Sequence, residues 1–335
     1  MTSEQALAQA AAQGIHRLAV PTPFLVGRVN SYLIEDEPLT LIDSGPNSAS
    51  SLEELERLLS ERGHAIEDLE LLVISHQHID HLGLANILAR RSGAEVATLD
   101  LLAPYVEEYS ASADLDDEFA AAMMRRHGIP DDLVHALRSV SHAFRAWGAA
   151  VHVTRTLADG GRLELRDRTF EVHHRPGHSP SDTVFWDAER RILIAADHLI
   201  GHISSNPIIS RPLEGPADVD DRPHALLAYM ESLRATRAMP AEIVLSGHGD
   251  AITAHAALID ERFRFHEKRA QKIYELIAQR PLSAYEIATA LWGNVAVTQA
   301  YLTLSEVLGH VDLLVIERGL VREVVTDGVA RFHAA

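Results

Sequence analysis

Short apolar runs bounded by turn residues recur through the first 250 positions, a pattern that predicts a layered α/β protein. Residues 24–26, 29–34 and 39–42 read as the first strands. The last two are joined as a hairpin through Glu35-Asp36-Glu37-Pro38. Ahead of them, residues 4–13 are alanine-rich and read as helical or frayed. Leu52, Leu55, Leu58 and Leu59 recur at helical spacing behind Ser50 and Ser51, either of which can cap that helix. Residues 69–74 form the next strand signal. A short helical pattern follows from Leu82 to Ala89, then a strand signal at 95–99.

From about 102 to 150 the pattern turns helical and is too long for a plain connection. We read it as an insertion covering the site. Its Met123, Met124 and Trp147 either pack on the domain or line a substrate pocket. Strand signals resume at 151–154, 163–165, 170–174, 183–186, 191–195 and 243–245, with a helix at 225–237. Helical patterns at 262–278, 284–291 and 297–312 follow. Apolar 313–316 and 320–325 then flank a turn at Arg318-Gly319. Three helices and a small hairpin make a winged-helix pattern. The expected organisation is an N-terminal segment 1–19, a main domain 20–265 and a C-terminal domain 266–335.

Composition narrows the chemistry. The chain has no cysteine, which excludes disulfides, thiolate metal sites and a cysteine nucleophile. Any metal must be held by histidine and carboxylate, which suits zinc, manganese or iron. A formal charge of −18 disfavours nucleic acid as a partner. No apolar run reaches the ~18 residues that a membrane span requires. Residues 1–14 lack the features of a signal peptide, so a cytoplasmic location is expected.

The densest chemistry lies in Ser75-His76-Gln77-His78-Ile79-Asp80-His81, directly after an apolar run and before a helical one. Ligands there sit in an open loop between two rigid flanks. His76 and His78 lie two apart in extended chain, so their side chains can point the same way. Asp80 and His81 can address a second position. His178, Asp197 and His248 each follow a further strand signal, and Asp43 ends an early one beside Ser44-Gly45. Two adjacent metals could then share a hydroxide near neutral pH.

His76-Gln77-His78-Ile79-Asp80-His81 matches the HxHxDH signature of the metallo-β-lactamase superfamily. Pro176-Gly177-His178-Ser179, Asp197 and Ser246-Gly247-His248-Gly249 continue the resemblance in the family's order. It covers roughly residues 20–260 and implies a four-layer αββα sandwich with two metal ions, most often zinc, at one edge of the sheets. It also implies roles for the residues. His76, His78 and His178 would hold the first metal, Asp80, His81 and His248 the second, and Asp197 would bridge them. Asp43 would support the ligand shell. The ligand set resembles that of glyoxalase II. The C-terminal pattern resembles the winged helix of the β-lactamase-like protein 2 group, whose human member is an endoribonuclease.

The expected function is a dinuclear hydrolase that uses a metal-bridging hydroxide on a small carbonyl substrate, a thioester first, a lactone or ester next. Asp80 and Asp197 would position metal and hydroxide. His202 and His224 are candidate acids or substrate contacts. The alternatives are a nuclease or other phosphodiesterase, a β-lactamase, and a non-catalytic metal-stabilised binding module. A homodimer is compatible with all four.

Overall fold

The computed structural model describes all 335 residues. Six strands form the first sheet: β1 (Ile15–Val20), β2 (Val29–Ile34), β3 (Thr40–Ile42), β4 (Leu71–Ile74), β5 (Glu95–Leu99) and β6 (Arg155–Leu157), in that order across the sheet. The second sheet holds β7 (Arg162–Glu164), β8 (Thr169–His174), β9 (Thr183–Asp187), β10 (Ile192–Ala196) and β11 (Ile243–Ser246), ordered 11-10-9-8-7.

Side-chain alternation sets the layers. In β4, Leu71 and Val73 join Phe170, Phe185, Ile194 and Leu245 in the core between the two sheets. Leu72 and Ile74, on the opposite face, pack with Leu55, Leu59 and Leu88 of the outer helices Ala49–Ser60 and Ala85–Ser92. In the second sheet Val184, Leu193 and Val244 face outward onto the helices Ala225–Arg237 and His255–Ile277. Period-two strands with two apolar faces thus build the αββα sandwich that the family resemblance implies.

The C-terminal part is a module of helices, ending in a two-stranded sheet of β12 (Val321–Thr326) and β13 (Val329–Ala334). It has no core of its own. Leu304, Leu308 and Phe332 belong to one buried cluster with Met123 and Met124 of the insertion and Leu226 of the sandwich helix. The two methionines therefore pack rather than line a pocket. The expected boundary at 265/266 falls inside the helix His255–Ile277.

Four local readings are corrected. Residues 24–26 are a loop, with Leu25 94% exposed. The first strand is β1, at 15–20, and the helix before it, Ser3–Ala11, is capped by Thr2 and buries Ala6 and Ala10 in the inter-sheet core. The strand expected at 151–154 is β6, at 155–157. At the C-terminus, apolar 313–316 continues the helical run, and the hairpin turns at Asp327-Gly328.

Parallel pairing fixes where the site lies. β3 runs parallel to β4, and β10 to β11, so their carboxyl ends share one edge of the sandwich. Backbone ties join the two sheets at that edge: Thr183 N–H donates to Ser75 O at 3.1 Å and Asn30 N–H to Gly247 O at 2.7 Å.

Candidate metal centre

Seven side chains from four chain segments, following β4, β8, β10 and β11, converge at this edge. His76, His78, His178 and Asp197 form one group, and Asp80, His81 and His248 another. Within each group the candidate ligand atoms all lie within 4.8 Å of one another. In the first group His78 Nδ1 is 3.1 Å from His76 Nε2 and 2.9 Å from His178 Nε2. In the second, His248 Nε2 is 3.3 Å from Asp80 Oδ2. Asp197 reaches both: Oδ1 is 3.4 Å from His81 Nε2, while Oδ2 is 3.5 Å from His178 Nε2 and 3.4 Å from His248 Nε2. All seven predicted ligand residues are thus brought together.

The ring nitrogens turned away from the centre have partners. His81 Nδ1 lies 2.8 Å from Asp43 Oδ2, His178 Nδ1 3.1 Å from Asn206 O, and His248 Nδ1 2.9 Å from Arg28 O. His76 Nδ1 lies 2.9 Å from Ser75 Oγ, which itself donates to Asp43 Oδ2. With each Nδ1–H donating outward, Nε2 is the atom left to face a metal. Asp43 thus aligns one histidine of each group, His81 directly and His76 through Ser75. Asp43 adopts φ 59°, a left-handed conformation costly for a non-glycine residue, and is 4% exposed.

Electrostatics follow the two groups. Burial, then the charges of His81 and His78, pushes His76 well below its ordinary pKa. Burial and His178 bring His78 down to about 3. Burial also opposes charge on His81 and His248. There the carboxylates win: Asp197 and Asp43 hold His81 well above its ordinary value, and Asp197 with Asp80 raises His248 to about 10.

The donor set fits divalent metal. His81 Nε2, His248 Nε2 and Asp197 Oδ1 are buried without a hydrogen-bond partner, although buried polar groups are nearly always paired. Imidazole and carboxylate oxygen suit zinc and its first-row neighbours. Close packing guards the arrangement: a Cβ on Gly247 would stand 2.1 Å from Asp197 Oδ1 and 2.8 Å from His81 Cε1. Gly247→Ala should therefore abolish binding of at least one ion per chain while the fold persists, read by metal analysis and circular dichroism. Two ions retained would contradict the packing argument.

The sequence profile of the metallo-beta-lactamase superfamily matches residues 25–248. The chain belongs to the metallo-beta-lactamase superfamily. A probable metallo-hydrolase, YqjP, of Bacillus subtilis is 31% identical over 303 residues, which is 90% of this chain and 92% of that protein. A beta-lactamase domain protein from Burkholderia ambifaria is 26% identical, with TM-score 0.79 over 96% of this chain and 92% of that one. A metallo-beta-lactamase family protein from Thermus thermophilus shares the fold at TM-score 0.78 and 23% identity, over 96% of this chain and 99% of that one. These superpositions extend beyond the matched 25–248, so the superfamily sandwich and the C-terminal module occur together in these proteins. With its two His/Asp groups, this superfamily member is a metal-dependent hydrolase.

The other candidates separate. His202 is exposed and presses on Gly249, where a Cβ would meet its ring at 2.6 Å. It lines a cleft of ≈ 660 Å³ together with Arg17, Arg28, Asn30 and Gly249, the residue after His248. His224 lies 3.1 Å from Asp312, away from the metal groups. Tyr32, at the same edge but not among those candidates, is buried and donates to Ser246 O at 2.6 Å, holding the two sheets together. Sequence reasoning misses Ser75, Asn206 and Arg28. Ser75 is signalled by its place directly before His76. The other two act through backbone carbonyls, which carry no side-chain signal.

Proposed function

We propose that the chain hydrolyses a small carbonyl substrate, first a thioester of the acyl-CoA type and next a lactone or ester, with zinc as the native metal. His76, His78 and His178 hold one ion, Asp80, His81 and His248 the other, and Asp197 stands between them. Bound ions would supply an activated water near neutral pH and polarise the substrate carbonyl. Asp43, Ser75 and the Asn206 and Arg28 carbonyls hold the ligands in the required tautomer. His202, in the cleft at Gly249, contacts the substrate. A thiolate leaves without a proton donor, so a thioester suits a centre whose inward groups are all ligands.

The observation favouring a carbonyl over a phosphodiester is how the arginines of the helix His255–Ile277 are used. Arg262 donates to the carbonyls of Ile200, Gly201 and Ile203. Arg269 lies between the rings of Phe265 and Trp292, 5.3 and 4.8 Å from their centroids. That leaves Arg264, Lys268 and Lys272 exposed on a chain of charge −18, a poor footprint for a nucleic acid backbone. We read the C-terminal module as winged-helix-like in pattern, serving the fold rather than nucleic acid. No helix is long and apolar enough to cross a membrane.

Metal-analysed protein should be tested side by side on acyl-CoA thioesters, lactones, nitrocefin and single-stranded RNA, with Asp80→Ala and His178→Ala as controls. Thioester or lactone turnover lost in both variants is expected. Metal-dependent RNA cleavage or nitrocefin turnover alone would overturn the substrate class. Turnover unchanged in both variants would overturn the site.

A further inference from the structure

Between Ala196, at the end of β10, and Ala225, at the start of the next helix, the chain forms neither helix nor strand. A segment that long has no ladder to hold it, so side chains must fix its position. It nevertheless supports a ligand. His178 Nδ1 faces Asn206 O at 3.1 Å, and Ile208 N–H donates to His178 O at 3.4 Å. Both the ring and the backbone of His178 thus lean on residues 206–208.

That stretch is gripped by the C-terminal helix Ala300–Asp312. Asn206 Nδ2 donates to Leu302 O at 3.1 Å. Ile209 is held at both of its peptide groups: its N–H donates to Ser305 Oγ at 3.2 Å, and its carbonyl accepts from the Tyr301 hydroxyl. Ser305 is 1% exposed, so its bond to Ile209 is shielded from competing water. Further along, Arg211 pairs with Asp116 of the insertion and Arg222 with Asp312. The grip nearest the metal centre comes from the C-terminal helix.

We propose that Tyr301 and Ser305 are positioning residues for the His76–His78–His178 group, acting through Asn206–Ile209 on the orientation of His178. The inference rests on the reading of His178 as a metal ligand. It makes the C-terminal module part of the apparatus of the His178 site; the same segment meets the shared Asp197 only at its backbone, where Ser205 Oγ donates to Asp197 O at 2.6 Å. His248, in the second group, is oriented by Arg28 O, and His81 by Asp43.

The test is site-selective metal affinity in the full chain. Zinc-loaded wild type, Tyr301→Phe, Ser305→Ala and the double variant are titrated with a chelator. Cobalt-loaded samples report each site by its visible spectrum. Loss of an outer-sphere partner typically weakens metal binding by about 10- to 100-fold. The grip acts one step further out, so the double variant should release one ion at roughly 10-fold lower chelator, with the other unchanged. His178→Ala marks which ion that is. Ser305→Thr, which keeps the hydroxyl, should restore retention. Arg318→Ala, which breaks a surface pair with Glu267 in the same module, should behave as wild type. If the double variant does not fold, Tyr301→Phe alone removes one hydroxyl and should weaken the same ion by about 3-fold. Wild type with fewer than two ions, or no ion lost in His178→Ala, would sink the underlying metal reading and the grip with it. If those two hold, wild-type affinity at both sites in the Tyr301 and Ser305 variants, or equal weakening of both ions, overturns the grip alone.

Discussion

Asparagine at position 197 should cost more activity than any other single change in the chain. The Asp197 carboxylate lies within 3.5 Å of ligand nitrogens in both groups, touching His81, His178 and His248. It is 5% exposed, and the charges of His248 and His81 overcome its burial to hold its carboxyl well below the ordinary range. Asn keeps the shape and removes the charge. Two effects then add. The carboxylate that reaches both ligand groups is gone, and the charge favouring cations beside His81 and His248 goes with it. Turnover should fall by roughly 10³-fold or more, equivalent to about 4 kcal/mol of transition-state stabilisation, and metal content below two ions per chain. Asp43→Asn should be milder, with metal affinity down about 10- to 100-fold, because Asp43 acts through Ser75 and His81. Metal analysis and steady-state rates on one preparation separate the two. Asp197→Asn with two ions and a rate within tenfold of wild type would refute the assignment of Asp197 as the shared ligand.

Local crowding makes part of the centre legible in the sequence and leaves the rest hidden. His76 to His81 identify themselves because four donor side chains crowd one strand end. His178, Asp197 and His248 become legible only as a series, each after its own strand. The grip on His178 is invisible to that method. It runs from Asn206 through Ile209 to Ser305, nearly 100 residues away, and uses peptide groups common to every sequence. The fold shows the same division. The layers follow from alternation in strands such as β4. β1 escapes the pattern because His16 and Arg17 interrupt its apolar positions, although Ile15, Leu18 and Val20 are buried. Residues 24–26 mislead in the opposite sense: an apolar run, yet Leu25 is exposed and Phe24 meets the rings of Phe144 and Trp147. The C-terminal hairpin does carry a local signal. Asp327-Gly328, both at positive φ, is the two-residue turn that Asp-Gly favours. The apolar run at 313–316 draws attention from it, although Leu313 and Leu314 are apolar because the helical run continues into the core.

The shared core of insertion and C-terminal module should also make the protein acid-labile, independently of its metals. Three buried histidines lie there. Burial, then nearby arginine charge, lowers His127 to about 3 and His266 to about 4. Burial and His266 lower His310 to about 3. Arg222 and Arg126 face His127 with Asp312 opposing them. Arg262 and Arg269 face His266. Each folded pKa lies below the unfolded value of about 6.5, so the unfolded chain binds more protons between the two. Their contribution to stability is whole above about pH 6.5 and is lost as pH falls toward 3–4. Glu306, whose burial raises its pKa, works in the opposite direction, but as one group against three. At about pH 5 each histidine forfeits roughly 2 kcal/mol, and three together approach the total stability of an ordinary domain. His127 offers the cleanest test. Its ring stacks on Phe332, and neither ring nitrogen has a hydrogen-bond partner. An apolar ring of similar size should therefore pack there without losing a bond. In metal-free protein, His127→Phe should match or exceed wild type at about pH 7 and gain on it steadily down to about pH 5, by roughly 1–2 kcal/mol in urea unfolding. Parallel curves for the two proteins across that range would show that His127 does not sit neutral in the core.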